Sequence, residues 1–292
     1  MSESLMVLGR KINNAGDLKA VVRTMKAVAA ANVVQFQQSV QALAGYYRTV
    51  ARGLSVCFRE VDVAGWTRDA ESGGKVGAIV FGSDQGMVGR FNEVVVGQVA
   101  ATLGSRAAQA EIWAIGERVR AELAEANLTP AGFFAVPDSV RTIPAVMTKL
   151  IVASESRGGR ETSELLLFHN SPGKGATYEP VVRRLLPLDG IWLRDIAGFR
   201  WPSKNLPEIA GDMVDTARGF VREYLFVSLF RACAESLASE NASRLAAMQR
   251  ADQNIDDLLK ELHQSFNRER QNGIDGELFD VIADFTALGK SK

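Results

Sequence analysis

Proline is confined to the middle of this chain. All eight prolines lie between Pro130 and Pro207, so the first 129 residues and the last 85 have none. Proline removes a backbone donor and clashes inside a helix, so its absence leaves both ends free to form very long helices. Apolar periodicity agrees. From Ile12 the larger apolar residues fall at Val22, Met25, Val33, Phe36, Val40, Leu43, Tyr47, Val50 and Leu54. Most steps are three or four residues or their sums, which is one stripe on a helix. Gly16 and Gly45 mark weak points along it. Near the other end the stripe is Leu237, Leu245, Met248, Ile255, Leu258, Leu259, Leu262 and Phe266. A helix over residues 208–272 would measure on the order of 95 Å, and the N-terminal one roughly 70 Å. Such helices outgrow a compact domain of this size and are expected to pack on each other as an antiparallel coiled coil. Asn32, Asn241 and Asp252 near the seam predict an imperfect coil with a polar outer face.

The middle has another rhythm. "KVGAIVFG" (75–82), "AEIWAIG" (110–116), "SELLLFHN" (163–170) and "EPVVRRLLPL" (179–188) read as strands. Helices fit at 92–103, 117–126 and 139–152. This alternation predicts βαβ units and a mostly parallel sheet. The chain is therefore expected to be an α/β protein, with a coiled-coil shaft from residues 1–60 and 208–292 and an inserted α/β domain at 70–205. The joints fall in "VDVAGWTRDAESGGK" (61–75) and "FRWPSKNLPE" (199–208).

Charge and motifs exclude more than they select. Lysine plus arginine and aspartate plus glutamate both number 34, so bulk charge does not point to nucleic acid. The two cysteines, Cys57 and Cys233, argue against a disulfide framework or a Cys-based metal site. No apolar run is long enough to cross a bilayer, and the N-terminus lacks a signal-peptide core. "FGSDQGMVGRFN" (81–92) follows a strand and opens a helix, but its spacing is GxxxGxxG instead of the dinucleotide GxGxxG. It reads as a tight turn. "SPGKGATYEP" (171–180) puts Gly175 where a phosphate loop needs Ser or Thr, and reads as a loop between strands. His169 ends an apolar strand and is expected to have a polar partner; His263 is expected on a solvated helix face. No catalytic, cofactor or metal constellation emerges. The terminal helices carry Arg10, Lys11, Lys19, Arg23, Lys26, Arg244, Arg250, Arg268 and Arg270. These form either a solvated face or a basic shaft meeting an acidic partner.

Three segments carry a resemblance. "KINNAGDLKAVVRTMKAVAAAN" (11–32) resembles the N-terminal helix of the gamma subunit of F-type ATP synthases, with Met25, Lys26, Val28, Ala29 and Ala30 matching the family's "MKMVAAAK". "SENASRLAAMQRADQNIDDLLKELHQSFNRERQNGI" (239–274) resembles its C-terminal helix through Ser239, Glu240, Ala242, Arg244, Ala247, Met248, Ala251, Asn254, Leu258, Leu262, Asn267, Arg270, Gln271 and Ile274. "SDQGMVGRFN" (83–92) resembles the family's "SDRGLCGGFN", with Gln85, Val88 and Arg90 as departures.

The resemblance implies an asymmetric antiparallel coil of N- and C-terminal helices with an inserted Rossmann-like domain. It implies a rotor without a nucleotide site, cofactor or metal of its own. Its partners would be the alpha and beta subunits of a catalytic hexamer, an epsilon subunit and a membrane c-ring, at the cytoplasmic face of a bacterial membrane. Arg23, Met25, Lys26, Met87, Arg244, Asn267, Arg270 and Gln271 match family positions facing the hexamer. Trp201, Pro202 and Lys204 match the foot near the ring and epsilon. The departures suggest a divergent branch, of the alternate or N-type. A nucleotide-dependent enzyme using the α/β domain, or an unrelated coiled-coil adaptor, are the competing readings.

Overall fold

The structure, a computed structural model, describes residues 3–60, 75–158, 162–173, 177–188, 190–199, 201–205 and 207–289. In chain order the elements are α1 (Glu3–Glu60), β1 (Lys75–Phe81), α2 (Phe91–Leu103), β2 (Glu111–Ile115), α3 (Glu117–Glu125), β3 (Gly132–Phe134), α4 (Ile143–Gly158), β4 (Thr162–Pro172), β5 (Tyr178–Leu186), α5 (Gly190–Ala197) and α6 (Met213–Gly289). The expected joint at 61–75 lies, apart from Lys75, outside the described residues, as does Lys174.

The chain begins and ends in long single helices, of 58 and 77 residues, both free of proline. α1 runs unbroken through Gly16 and Gly45, which are exposed and have nothing near a Cβ position. One exposed helical glycine costs only about 0.5–1 kcal/mol, and packing on the opposite face outweighs that. The same reasoning corrects the expected end of the last helix. α6 continues past residue 272 through Gly273 and Gly276. It starts at 213, later than expected, because Asp212 caps it: Asp212 Oδ1 accepts the Asp215 amide at 2.9 Å, just after Gly211 turns the chain at φ 108°.

The chain forms two compact units, Met1–Val28 with Leu245–Lys292, and Ala29–Arg244. The larger holds a five-stranded sheet of order β3-β2-β1-β4-β5, parallel except for β5, which returns antiparallel to β4. β3 was not foreseen. Three residues are too few for a periodic signal, and Gly132 serves by letting the strand approach the Trp113 ring, which a Cβ would meet at 2.8 Å.

Strand alternation sorts the core into two layers. Val76, Ala78 and Val80 of β1, with Leu166 and Phe168 of β4, pack under α2 and α3. Ile79, Phe81, Leu165 and Leu167 point the other way, onto Phe36 of α1, Ile143, Met147 and Leu150 of α4, and Leu229–Ala238 side chains of α6. A smaller cluster joins Val50, Leu54 and Phe58 of α1 to Ile196 and Trp192 of α5 and to Tyr224 of α6. Gly53 admits the Phe220 ring there, where a Cβ would lie 2.4 Å from it.

In the smaller unit the two helices run antiparallel. Ser4 bonds Glu269, Lys19 pairs with Asp256, and Lys26 pairs with Asp252. The apolar seam is thin: Val22, Met248 and Ile255, flanked by Met25, Ala247, Ala251 and Leu259. No described helix is long and apolar enough to cross a membrane.

Candidate functional site

Three of the shaft cations that the sequence offers to a partner, Lys19, Arg23 and Lys26, are engaged within the chain. Lys26 Nζ lies 2.7 Å from Asp252 Oδ2, and Arg23 Nε lies 3.6 Å from Oδ1 of the same carboxylate. The hydrogen bond from Lys26, reinforced by the charges of Lys26, Arg23 and Lys19, holds the Asp252 carboxyl below the usual aspartate range. The Arg23 side chain remains 62% exposed, so it can turn outward without uncovering a buried charge. Met25 is half-buried against Val22, Met248 and Ile255. Asn267, Arg270 and Gln271 stand exposed on α6, followed by exposed Ile274, Leu278, Phe279, Val281 and Ile282.

In the larger unit, loop 83–89 leaves β1 at the carboxyl end of the sheet, where a doubly wound fold would hold a ligand. Its carboxylate bonds to neighbouring elements. Asp84 Oδ1 accepts the Glu117 amide at the start of α3 at 2.8 Å, and Oδ2 accepts the Val136 amide at 2.9 Å. A carboxylate thus meets the N-terminus of α3, the helix after β2. The glycines serve close packing. A Cβ on Gly82 would lie 2.2 Å from Val119, and one on Gly116, at φ 122°, would lie 2.7 Å from the Ser83 carbonyl oxygen. The loop tip is Met87, 58% exposed at φ 61°. Next to it Val88 is buried, and its carbonyl accepts the Ser243 hydroxyl of α6 at 2.7 Å.

Sequence reading missed the polar stripe beneath this loop. Arg231, Glu235, Ser239 and Ser243 recur at four-residue spacing, so they share one face of α6. That spacing was the available signal. The face lies against the sheet. His169 follows Leu165 and Leu167 in the alternation and therefore meets α6, with Nε2 2.8 Å from Glu235 Oε2. Arg231 donates to Oε1 at 2.7 Å, and Arg183 of β5 approaches to 3.6 Å. Burial alone would raise the Glu235 carboxyl, but the His169 and Arg231 hydrogen bonds and the Arg183 charge outweigh it and hold it at about 2. Burial pushes His169 below its ordinary value, although Glu235 pulls the other way. Ser239 Oγ lies 3.0 Å from the Asn170 carbonyl oxygen, to which it can donate.

Arg244 is turned inward. It is 9% exposed and bonds Glu240 Oε1 at 2.6 Å, one helical turn back. Burial raises the Glu240 carboxyl against the opposing Arg244 charge. After α5, Trp201, Pro202 and Lys204 are exposed on an irregular segment. Nearby in sequence, Trp192 packs edge-on against Tyr224 and Phe58.

Comparison with known proteins places this architecture. A family model described as ATP synthase matches residues 4–288. The chain is 27% identical over 307 residues to a protein named ATP synthase gamma chain from Clavibacter michiganensis subsp. michiganensis, covering 100% of both chains. It is 24% identical over 305 residues to the ATP synthase gamma chain of Frankia casuarinae, covering 99% of each. Among solved structures it resembles a chain of the Euglena gracilis mitochondrial ATP synthase (OSCP/F1/c-ring, rotational state 3), with TM-score 0.63 and 15% identity over 98% of this chain and 94% of that one. A chain of the Tetrahymena thermophila mitochondrial central stalk and c-ring matches with TM-score 0.58 and 19% identity, covering 79% and 99%. At these identities the structural matches speak to the fold.

Proposed function

We propose, from the premise that this chain belongs to the ATP synthase family as a gamma-type central-stalk subunit, that it transmits torque between a membrane c-ring and the catalytic hexamer. It does no chemistry itself; ATP synthesis or hydrolysis proceeds on the beta subunits as the shaft turns. The observation that carries this reading is the family match over residues 4–288, joined to an antiparallel pair of proline-free helices tied by the Lys19–Asp256 and Lys26–Asp252 ion pairs.

Arg23, Met25, Lys26, Met87, Asn267, Arg270 and Gln271 face the alpha and beta subunits. Because Asp252 already holds Arg23 and Lys26, acidic groups on the hexamer compete with an internal carboxylate for them. Exchange of partners between nearly equal states lets contacts change as the shaft rotates. Arg244 acts from within, holding Glu240 under the domain instead of meeting a partner directly. Trp201, Pro202 and Lys204 form the foot against epsilon and the ring. The complex sits on the cytoplasmic face of a bacterial membrane. The ring selects the ion, whether proton or sodium. The departures that mark a divergent branch fit the packing: Val88 is buried and apolar, and Arg90 pairs with Glu93 at 2.7 Å.

Co-expression with alpha and beta subunits from the same organism tests the reading. One copy of this chain per alpha–beta hexamer is expected. Recovery of a hexamer without it would overturn the assignment.

A further inference from the structure

We infer that Ser243, together with Asp84, is a positioning residue that holds Met87 as a fixed outward contact for the hexamer subunit facing it. The inference rests on the central-stalk reading and extends it from a contact to the device that sets it. It begins from a backbone outlier. Met87 adopts φ 61°, a left-handed conformation that glycine or asparagine takes at far less cost than a long apolar residue. Strained residues persist where the surroundings over-determine them, and they cluster at functional contacts.

The surroundings here are specific. Asp84 ties the loop to two backbone amides, at 2.8 and 2.9 Å. The Ser83 carbonyl accepts the Arg118 amide at 2.9 Å. Val88 buries its side chain, and its carbonyl receives the Ser243 hydroxyl at 2.7 Å. Gly89, at φ 60°, completes the turn. Met87 cannot relax without moving the Val88 side chain or breaking the bond to α6. Ser83, Asp84 and Val88 are anchored, yet the methionine itself faces solvent. Its local backbone does not call for that residue, and no buried packing does either.

The side chain suits a particular partner. A thioether on an unbranched stem adapts to differing apolar surfaces, and a rotor meets successive copies of one subunit in different states. One cation borders it. The exposed Arg118 guanidinium lies beside Gly86, 3.7 Å from where a Cβ would stand, whereas Arg90 is paired with Glu93. The occupant is therefore an apolar side chain beside a carboxylate on a hexamer subunit. Ser243 belongs to α6, so its hydroxyl links the shaft helix directly to the loop that makes the contact.

The test uses the complex reconstituted in vesicles, with ion pumping measured per ATP hydrolysed and normalised to assembled complex. Met87→Asn keeps a residue at ease with the left-handed backbone but removes the contact. Ser243→Ala removes the latch, and Ser243→Thr restores a hydroxyl. Met87→Asn and Ser243→Ala are each expected to lower pumping per ATP several-fold, with Ser243→Thr returning to the parent value. Parent-like pumping by Met87→Asn would overturn the contact. Parent-like pumping by Ser243→Ala beside an impaired Met87→Asn would overturn the positioning role, as would failure of threonine to rescue. If the parent chain does not assemble with alpha and beta at all, the central-stalk reading fails instead.

Discussion

Replacing Glu235 by glutamine removes a carboxylate on which His169, Arg231 and Arg183 converge. Two routes give the cost. The carboxyl is held at about 2 against an ordinary 4.5, which corresponds to roughly 3 kcal/mol of differential stabilisation at ~1.36 kcal/mol per pH unit. Independently, a hydrogen bond to a charged acceptor contributes about 1.5–3 kcal/mol. The Arg231 pair, whose guanidinium is partly exposed, adds about 0–1 kcal/mol. Both routes point to a loss of about 3 kcal/mol at neutral pH. The pH dependence follows from the direction of the shifts. Because the folded Glu235 value is depressed, its contribution is complete above about 4.5 and is lost as pH falls toward about 2. His169 is also depressed, by burial, so the unfolded chain takes up that proton first and stability starts to fall below about 6.5. Urea unfolding and hydrogen exchange at the amides of residues 165–168, measured from neutral pH to acid, read both effects. The gap between parent and Glu235→Gln should close as pH drops below about 4.5. A neutral-pH loss under about 1 kcal/mol, or a gap independent of pH, would refute the reasoning. Leucine at both 169 and 235 should cost less than Glu235→Gln, because apolar packing replaces a buried polar pair instead of breaking it.

Three further outcomes are expected. Gly116→Ala forces a side chain into a position at φ 122° that lies 2.7 Å from the Ser83 carbonyl oxygen, so it should destabilise the larger unit by about 2–4 kcal/mol in urea unfolding. Asp252→Asn removes the counter-charge of Lys26 and Arg23, and should lower hydrogen-exchange protection in residues 19–26 at low salt. High salt should erase the difference, and its persistence would argue against ion pairing. Alanine at Arg23, Lys26 and Arg270 together should lower pumping per ATP in reconstituted vesicles, while each single change is mild. Asp252→Asn serves as the control that separates loss of the internal pair from loss of partner contacts.

Much of the architecture was legible because it is written in local pattern. Helical stripes at both ends and apolar runs at 75–82 and 163–170 each occupy one continuous segment, and each predicted element formed. The misses are of three kinds. α5, at 190–197, has only eight residues, two turns of pattern directly after a strand. β3 is three residues long, below any period. The ends of α6 were misplaced because glycine carries a small penalty that packing elsewhere overrides, and because the start depends on a cap at Asp212. The site was less legible. Met87 is exposed at the tight turn expected of 81–92. Arg244 has the same charge as Arg23, yet one is enclosed beside Glu240 and the other faces solvent. Charge pattern along a helix does not distinguish the two.

Composition and periodicity by themselves determined that both ends are helical, that the middle is a mostly parallel α/β domain, and, through three motifs, which family the chain resembles. These are properties of neighbours in sequence, because helix and strand repeat every few residues. Tertiary structure decided which charges remain available. Lys26 meets Asp252 across 226 residues, and Ser243 reaches Val88 across 155. No local period encodes such pairings; they follow from how the helices come into register and from which face the sheet covers. The same folding places Asp84 on the amides of Glu117 and Val136, and leaves Met87 outside.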